Sequence, residues 1–189
     1  MHPFAPVALC GWIWLLWFAY WLWAARNVQA TKSSEGFVSR LQHILPLAVG
    51  LALILHAPEH HLLFGPWHHN PAIAYAGVAM TAAGLGFMVW SRLHLGRYWS
   101  GTVTLKEGHR LIRTGPYTIV RHPMYTGILF AAAGSALAAG TGDAVVGFII
   151  LVPAFLLKIH KEETLLTREF GDEYCQFKRQ VPALVPLLY

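Results

Sequence analysis

The chain has 189 residues, of which 56% are hydrophobic and only 12% charged, too much apolar surface and too little charge for an ordinary soluble domain. A net charge of +5 would raise nucleic acid as a partner in a soluble protein, but here the placement of the charge points to membrane topology, and no nucleic-acid role is expected. The two cysteines, Cys10 and Cys175, give neither a metal spacing nor a disulfide framework.

The first apolar run, residues 6–25, is too long and too rich in tryptophan for a cleaved signal sequence, so it is expected to stay as a membrane helix. Trp12, Trp14, Trp17, Trp21 and Trp23 on it read as lipid or partner contacts. A second span covers residues 41–57. The loop after it carries His56, Glu59, His60, His61, His68 and His69, whose types suit zinc or copper but whose spacing fits no metal-site pattern; solvated histidines and no metal are expected. The third span, 72–95, presents Gly77, Gly84 and Gly86 with Ala82 and Ala83, a small-residue face for close helix packing that also permits a homo-oligomer. Two shorter runs, 124–139 and 144–159, flank the turn Gly140-Thr141-Gly142-Asp143, which predicts a tight helical hairpin with Asp143 as the N-cap.

All 14 lysines and arginines fall on one side of a five-span arrangement, and the 59–70 loop and 141–143 turn on the other side have none. The expected fold is therefore all-α, an integral membrane bundle of about five transmembrane helices with the N-terminus outside and the C-terminus cytoplasmic. Residues 1–71 supply two N-terminal helices. Residues 72–189 form a core of three helices with a cytoplasmic loop at 96–123 and a cytoplasmic segment at 160–189.

Two segments carry chemistry. The 96–123 loop is long for a connector and ends in Gly115-Pro116-Tyr117 and Arg121-His122-Pro123-Met124-Tyr125-Thr126-Gly127. Pro123 suits the first position of a helix, and the amides after it, with Arg121 and His122 alongside, suit an anionic group. The second segment is Glu162-Glu163 at the end of the last span, where carboxylates facing lipid would be costly. Lys158 is four residues before Glu162 and predicts a pair with it; Glu163 points about 100° away, with no obvious partner.

These pieces, with Phe170-Gly171, Tyr174 and the closing Val181-Pro182-Ala183-Leu184-Val185-Pro186, resemble the isoprenylcysteine carboxyl methyltransferase family and its relatives, the phospholipid N-methyltransferases. The resemblance covers the chain from about Leu95 onward. It implies a membrane enzyme that binds S-adenosylmethionine on the cytoplasmic side, with Tyr117, His122, Pro123, Tyr125, Gly127, Glu162, Glu163 and Tyr174 as cofactor residues. Arg113, Arg121 and Glu163 are the candidate catalytic residues, Arg113 or Arg121 to orient an acidic acceptor or lipid phosphate and Glu163 or His122 to take a proton from an amine. The partners expected are a lipophilic or small methyl acceptor and membrane lipids, in a bacterial inner membrane. The rivals are an NADPH-dependent sterol or steroid reductase, which shares a His-Pro-x-Tyr-x-Gly piece, and a non-enzymatic membrane accessory protein using the histidine loop.

Overall fold

The structure, a computed structural model, describes residues 5–26, 31–34, 37–55, 62–67, 70–96, 99, 104–106 and 111–186. The described residues form six α-helices and one short ribbon, an all-α fold: α1 Ala5–Ala24, β1 Thr31–Ser34, α2 Phe37–Leu55, α3 Pro71–Leu95, β2 Thr104–Lys106, α4 Pro123–Ala139, α5 Gly142–Phe170 and α6 Asp172–Gln180. The five predicted apolar runs are the cores of α1 to α5. Helices α1, α3 and α5 are long and apolar enough to cross a bilayer, whereas α4 and the apolar part of α2, Ile44–Leu55, are shorter. At 17 residues α4 is about 25 Å long, somewhat less than the roughly 30 Å hydrocarbon thickness.

Helix α4 is apolar on all sides, and it lies where such a helix belongs, touching α1, α2, α3 and α5. Its seam with α3 is made by two pairs of glycines. A Cβ on Gly77 would run into Gly134 and Ala138, and one on Gly84 into Gly127 and Ala131, so the two backbones meet directly. Gly50 of α2 and Gly147 of α5 make a similar close approach. The small-residue face of α3 is therefore Gly77, Thr81 and Gly84; Gly86, Ala82 and Ala83 point outward. The glycines that suggested an oligomer are mostly consumed inside the chain.

A buried polar knot crosses the same seam. The indole Nε1 of Trp14 donates to Ser135 Oγ at 3.0 Å, and Ser135 Oγ lies 3.0 Å from Thr81 Oγ1, which in turn reaches the carbonyls of Gly77 and Ala131. Away from water each of these groups needs a partner, and together they dock α1 on α3 and α4. Trp14 is thus internal, and Trp17 and Trp21 pack against the core. Trp12 and Trp23 face outward among Leu16, Phe18 and Leu22, a surface suited to lipid.

The loops sort to two ends of the bundle as the basic residues predict. At one end the ribbon pairs β1 antiparallel with β2, joining the α1–α2 and α3–α4 connections; these strands are too short to show an alternating pattern, and sequence reading missed them. At the other end the 62–67 loop sits on the α4–α5 turn through a Pro66–Thr141 bridge and the bonds Trp67 N–H to Gly140 carbonyl and Gly142 N–H to Gly65 carbonyl. Asp143 is not the N-cap of α5. Thr141 caps it, accepting from the Ala144 amide, and Asp143 is buried beneath the loop, accepting the amides of Leu62, Leu63 and Phe64 at 2.7, 2.9 and 2.7 Å. Outer residues His56, Glu59, His60, His61, His68 and His69 lie outside the described residues.

Replacing Asp143 with Ala should strand three amides, and hydrogen exchange at residues 62–64 should accelerate by about tenfold or more. Gly84→Ala should lower the melting temperature in detergent by the equivalent of about 1–3 kcal/mol, read by thermal melts. Gly86→Ala, whose methyl would meet open space, should leave it unchanged.

Candidate functional site

Most of the predicted site residues, all but Gly127 and Arg113, come from four places that the fold brings to one corner: the turn at Gly115–Thr118, the start of α4, the polar extension of α5 beyond Ile159, and α6, which the strap of residues 181–186 follows. Pro123 is the first residue of α4, with His122 as its N-cap. The amides of Tyr125 and Thr126 both turn to the His122 carbonyl at 3.0 Å, so they are not open anion donors in this conformation. The strap is clipped to the same place: the amides of Arg121 and His122 donate to the carbonyls of Pro182 and Ala183 at 2.8 and 3.0 Å, and Thr126 Oγ1 donates to the Leu184 carbonyl at 2.7 Å.

Glu163 has three partners that sequence spacing did not suggest. Its Oε1 accepts Arg121 Nε at 2.9 Å and Nη2 at 2.7 Å and lies 3.2 Å from His122 Nε2, and its Oε2 lies 3.0 Å from Lys178 Nζ. Burial is the largest single influence and would raise the carboxyl pKa. The bonds from His122, Lys178 and Arg121 together outweigh it and hold Glu163 well below the usual carboxylate range, so it is ionised. The other nitrogen of Arg121, Nη1, donates to the carbonyls of Lys178 and Val181.

Glu162 differs from its neighbour. Its Oε2 accepts the Tyr125 hydroxyl at 2.7 Å and lies 3.9 Å from His122 Nδ1, while its side chain is 31% exposed against 13% for Glu163. The rings of His122 and Tyr125 stack at 5.6 Å with 15° between their planes, and Lys158 Nζ sits 5.4 Å from the Tyr125 ring centroid. Tyr125 also touches the Phe155 ring, where a cleft lined by Leu47, Ala154, Phe155 and Lys158 opens between α2 and α5.

Tyr117 and Tyr174 are buried, and neither hydroxyl has a hydrogen-bond partner among the described residues. Burial raises both phenol pKa values, reinforced at Tyr117 by Glu162 and at Tyr174 by Glu163 and Glu162, so both are neutral donors beside the carboxylates. The turn that carries Tyr117 depends on Gly115, whose φ of +58° favours glycine and whose missing side chain leaves room for the His94 ring.

Arg113 lies at the edge. It donates to the Glu173 carbonyl, pairs with the Glu173 carboxylate at 3.5 Å, and lies over the Phe177 ring, which fastens α6 to the loop. Gly127 stands apart from the cluster, packed against Gly84 and Met88 in the α3–α4 seam. The structure adds Lys178 and the strap carbonyls to the corner; nothing in their local sequence marks them, because their partners lie on other segments, Glu163 for the Lys178 ammonium and residues 121–126 for the carbonyls.

Residues 77–168 match the isoprenylcysteine carboxyl methyltransferase (ICMT) family, the stretch that holds α3, the loop, α4 and the glutamate pair. Among curated proteins the chain is similar to a "Probable protein-S-isoprenylcysteine O-methyltransferase" of Oryza sativa subsp. indica, 29% identical over 166 residues that make up 86% of this chain and 83% of the rice protein. It is also similar to the protein-S-isoprenylcysteine O-methyltransferase of Schizosaccharomyces pombe, 34% identical over 49% of this chain and 41% of the yeast protein. A third relative is the cobalt-zinc-cadmium resistance protein CzcN of Cupriavidus metallidurans, 30% identical over 55% of this chain and 49% of that one. Together with the helical membrane fold, these matches place residues 77–168 in the isoprenylcysteine carboxyl methyltransferase family of S-adenosylmethionine-dependent methyltransferases.

Proposed function

We propose that this protein binds S-adenosylmethionine in the corner bounded by the 115–118 turn, the start of α4, the end of α5 and α6, and transfers its methyl group to a lipophilic or small acceptor at the cytoplasmic membrane face. The observation that carries the reading is the set of polar groups there: the half-open Glu162 carboxylate and the buried hydroxyls of Tyr117 and Tyr174, which have no hydrogen-bond partner among the described residues. A buried donor without a partner costs about 1–3 kcal/mol, and a polar ligand removes that cost.

The residues fit the cofactor's chemistry. Glu162 suits the ribose hydroxyls or the amino group, the tyrosine hydroxyls suit its acceptor atoms, and the stacked faces of His122 and Tyr125 suit a sulfonium or adenine. S-adenosylmethionine supplies an electrophilic methyl group for in-line displacement. The protein's share is to hold the acceptor about 3 Å from that carbon and to exclude water. A carboxylate or thiolate acceptor needs no base; for an amine acceptor His122 is the group placed to hold the proton. A lipophilic acceptor would approach Tyr125 from the side of α2 and α5, where the small cleft lies. The excess of basic residues at this end of the bundle supports its placement on the cytoplasmic side, with the N-terminus outside. The outer histidines carry no part of this reading.

Calorimetry on detergent-purified protein should show binding of S-adenosylmethionine and S-adenosylhomocysteine and none of NADPH; binding of NADPH alone would move the assignment to a reductase. Tyr125→Phe, which takes the Tyr125 hydroxyl from Glu162, should weaken cofactor affinity by about tenfold. His122→Ala should abolish binding while expression and membrane insertion persist, and normal affinity in that variant would displace the site.

A further inference from the structure

We infer that the two adjacent glutamates have separate roles: Glu162 meets the cofactor, and Glu163 is a positioning residue that latches α6 and the 181–186 strap across the site. The inference rests on the cofactor reading above and goes beyond it by assigning the pair. A carboxylate has about four lone-pair directions. Glu163 meets four donors, two nitrogens of Arg121 and His122 on Oε1 and Lys178 on Oε2, so both oxygens are engaged by the protein, and the side chain is 13% exposed. Glu162 has a protein partner at hydrogen-bond distance on Oε2 alone among the described residues, and its Oε1 is left for a ligand.

The latch is continuous. Glu163 holds Arg121 from α5, Arg121 holds the carbonyls of Lys178 and Val181 at the end of α6, and Lys178 returns to Glu163. The amides of Arg121 and His122 then fix the first residues of the strap. With Arg121 and Glu163 only 9% and 13% exposed at their side chains, this pair is little screened by water, whereas Lys178 is 40% exposed and forms the outer, openable arm. Opening the latch releases the wall that carries Tyr174, one of the unpartnered hydroxyls. Cofactor binding and latch closure therefore favour each other, because each stabilises the same arrangement of α6.

Trypsin tests this directly, since Lys178 and Arg179 lie on the latched segment. Cleavage there follows the open population when reclosing is fast. In the full-length protein in detergent, Glu163→Gln should raise the cleavage rate by about tenfold or more, and S-adenosylhomocysteine should restore protection at concentrations raised by a similar factor. Lys178→Met, which leaves the Arg121 pair intact, should shift both readouts in the same direction by less, and it carries the test if Glu163→Gln does not fold. Glu162→Gln should lose cofactor affinity while its trypsin protection without ligand stays that of the wild type. Lost affinity in Glu163→Gln with wild-type protection would make Glu163 a direct ligand and overturn the inference, as would loss of protection in Glu162→Gln. If the wild type binds no S-adenosylhomocysteine, the cofactor reading fails, and the ligand-free cleavage rates still decide whether the latch exists.

Discussion

One guanidinium holds the functional end of this molecule together. Arg121 sits just before α4 and divides its donors between the Glu163 carboxylate of α5 and the carbonyls at the end of α6, while its own amide takes a carbonyl from the strap. A planar, permanently charged fork of donors suits such a junction better than a lysine ammonium would. The pair it makes with Glu163 is largely buried, and removing one partner from a pair of that kind costs about 3–5 kcal/mol, because the other charge is left stranded. Since α6 is a short, polar helix, it has few other reasons to stay on the bundle: the small cluster of Tyr174, Phe177 and Val181, and the contacts of Arg113.

That junction can be placed accurately only because the membrane part beneath it is rigid. Glycine pairs let α3 and α4 approach to backbone contact, and the knot of Trp14, Thr81 and Ser135 docks α1 on the same seam. In a lipid solvent, close packing and satisfied polar groups do the work that burial of apolar surface does in water. The consequence for function is positional: α4 is held on four sides, so His122 and Tyr125 at its start are presented to Glu162 in a fixed geometry. At the opposite end, Asp143 does the same for the outer loop by gathering three consecutive amides.

The arrangement also explains how neighbouring residues of one type can do different work. On a helix, consecutive side chains diverge by about 100°, so Glu162 and Glu163 reach opposite nitrogens of the His122 ring and have otherwise different partners. One turns toward Tyr125 and the open side of the corner, the other toward Arg121 and α6. The corner is built from the ends of membrane helices and a strap that returns to them.

Composition and charge placement alone determined the membrane class, the five apolar helices and the sorting of loops to two ends, because these depend on the length of apolar runs and on counting basic residues. The motif around Arg121-His122-Pro123 and Glu162-Glu163 likewise marked the family and most of the corner. Tertiary structure decided what local spacing cannot express. Asp143 looked like a helix cap because it follows a glycine turn, and became the anchor of a loop some 80 positions earlier. Glu163 appeared to lack a partner because its three partners, Arg121, His122 and Lys178, come from other segments of the chain. Helical periodicity records only neighbours three and four residues apart; contacts between helices follow from how glycine seams set their rotation and height, and these exist only once the chain is packed.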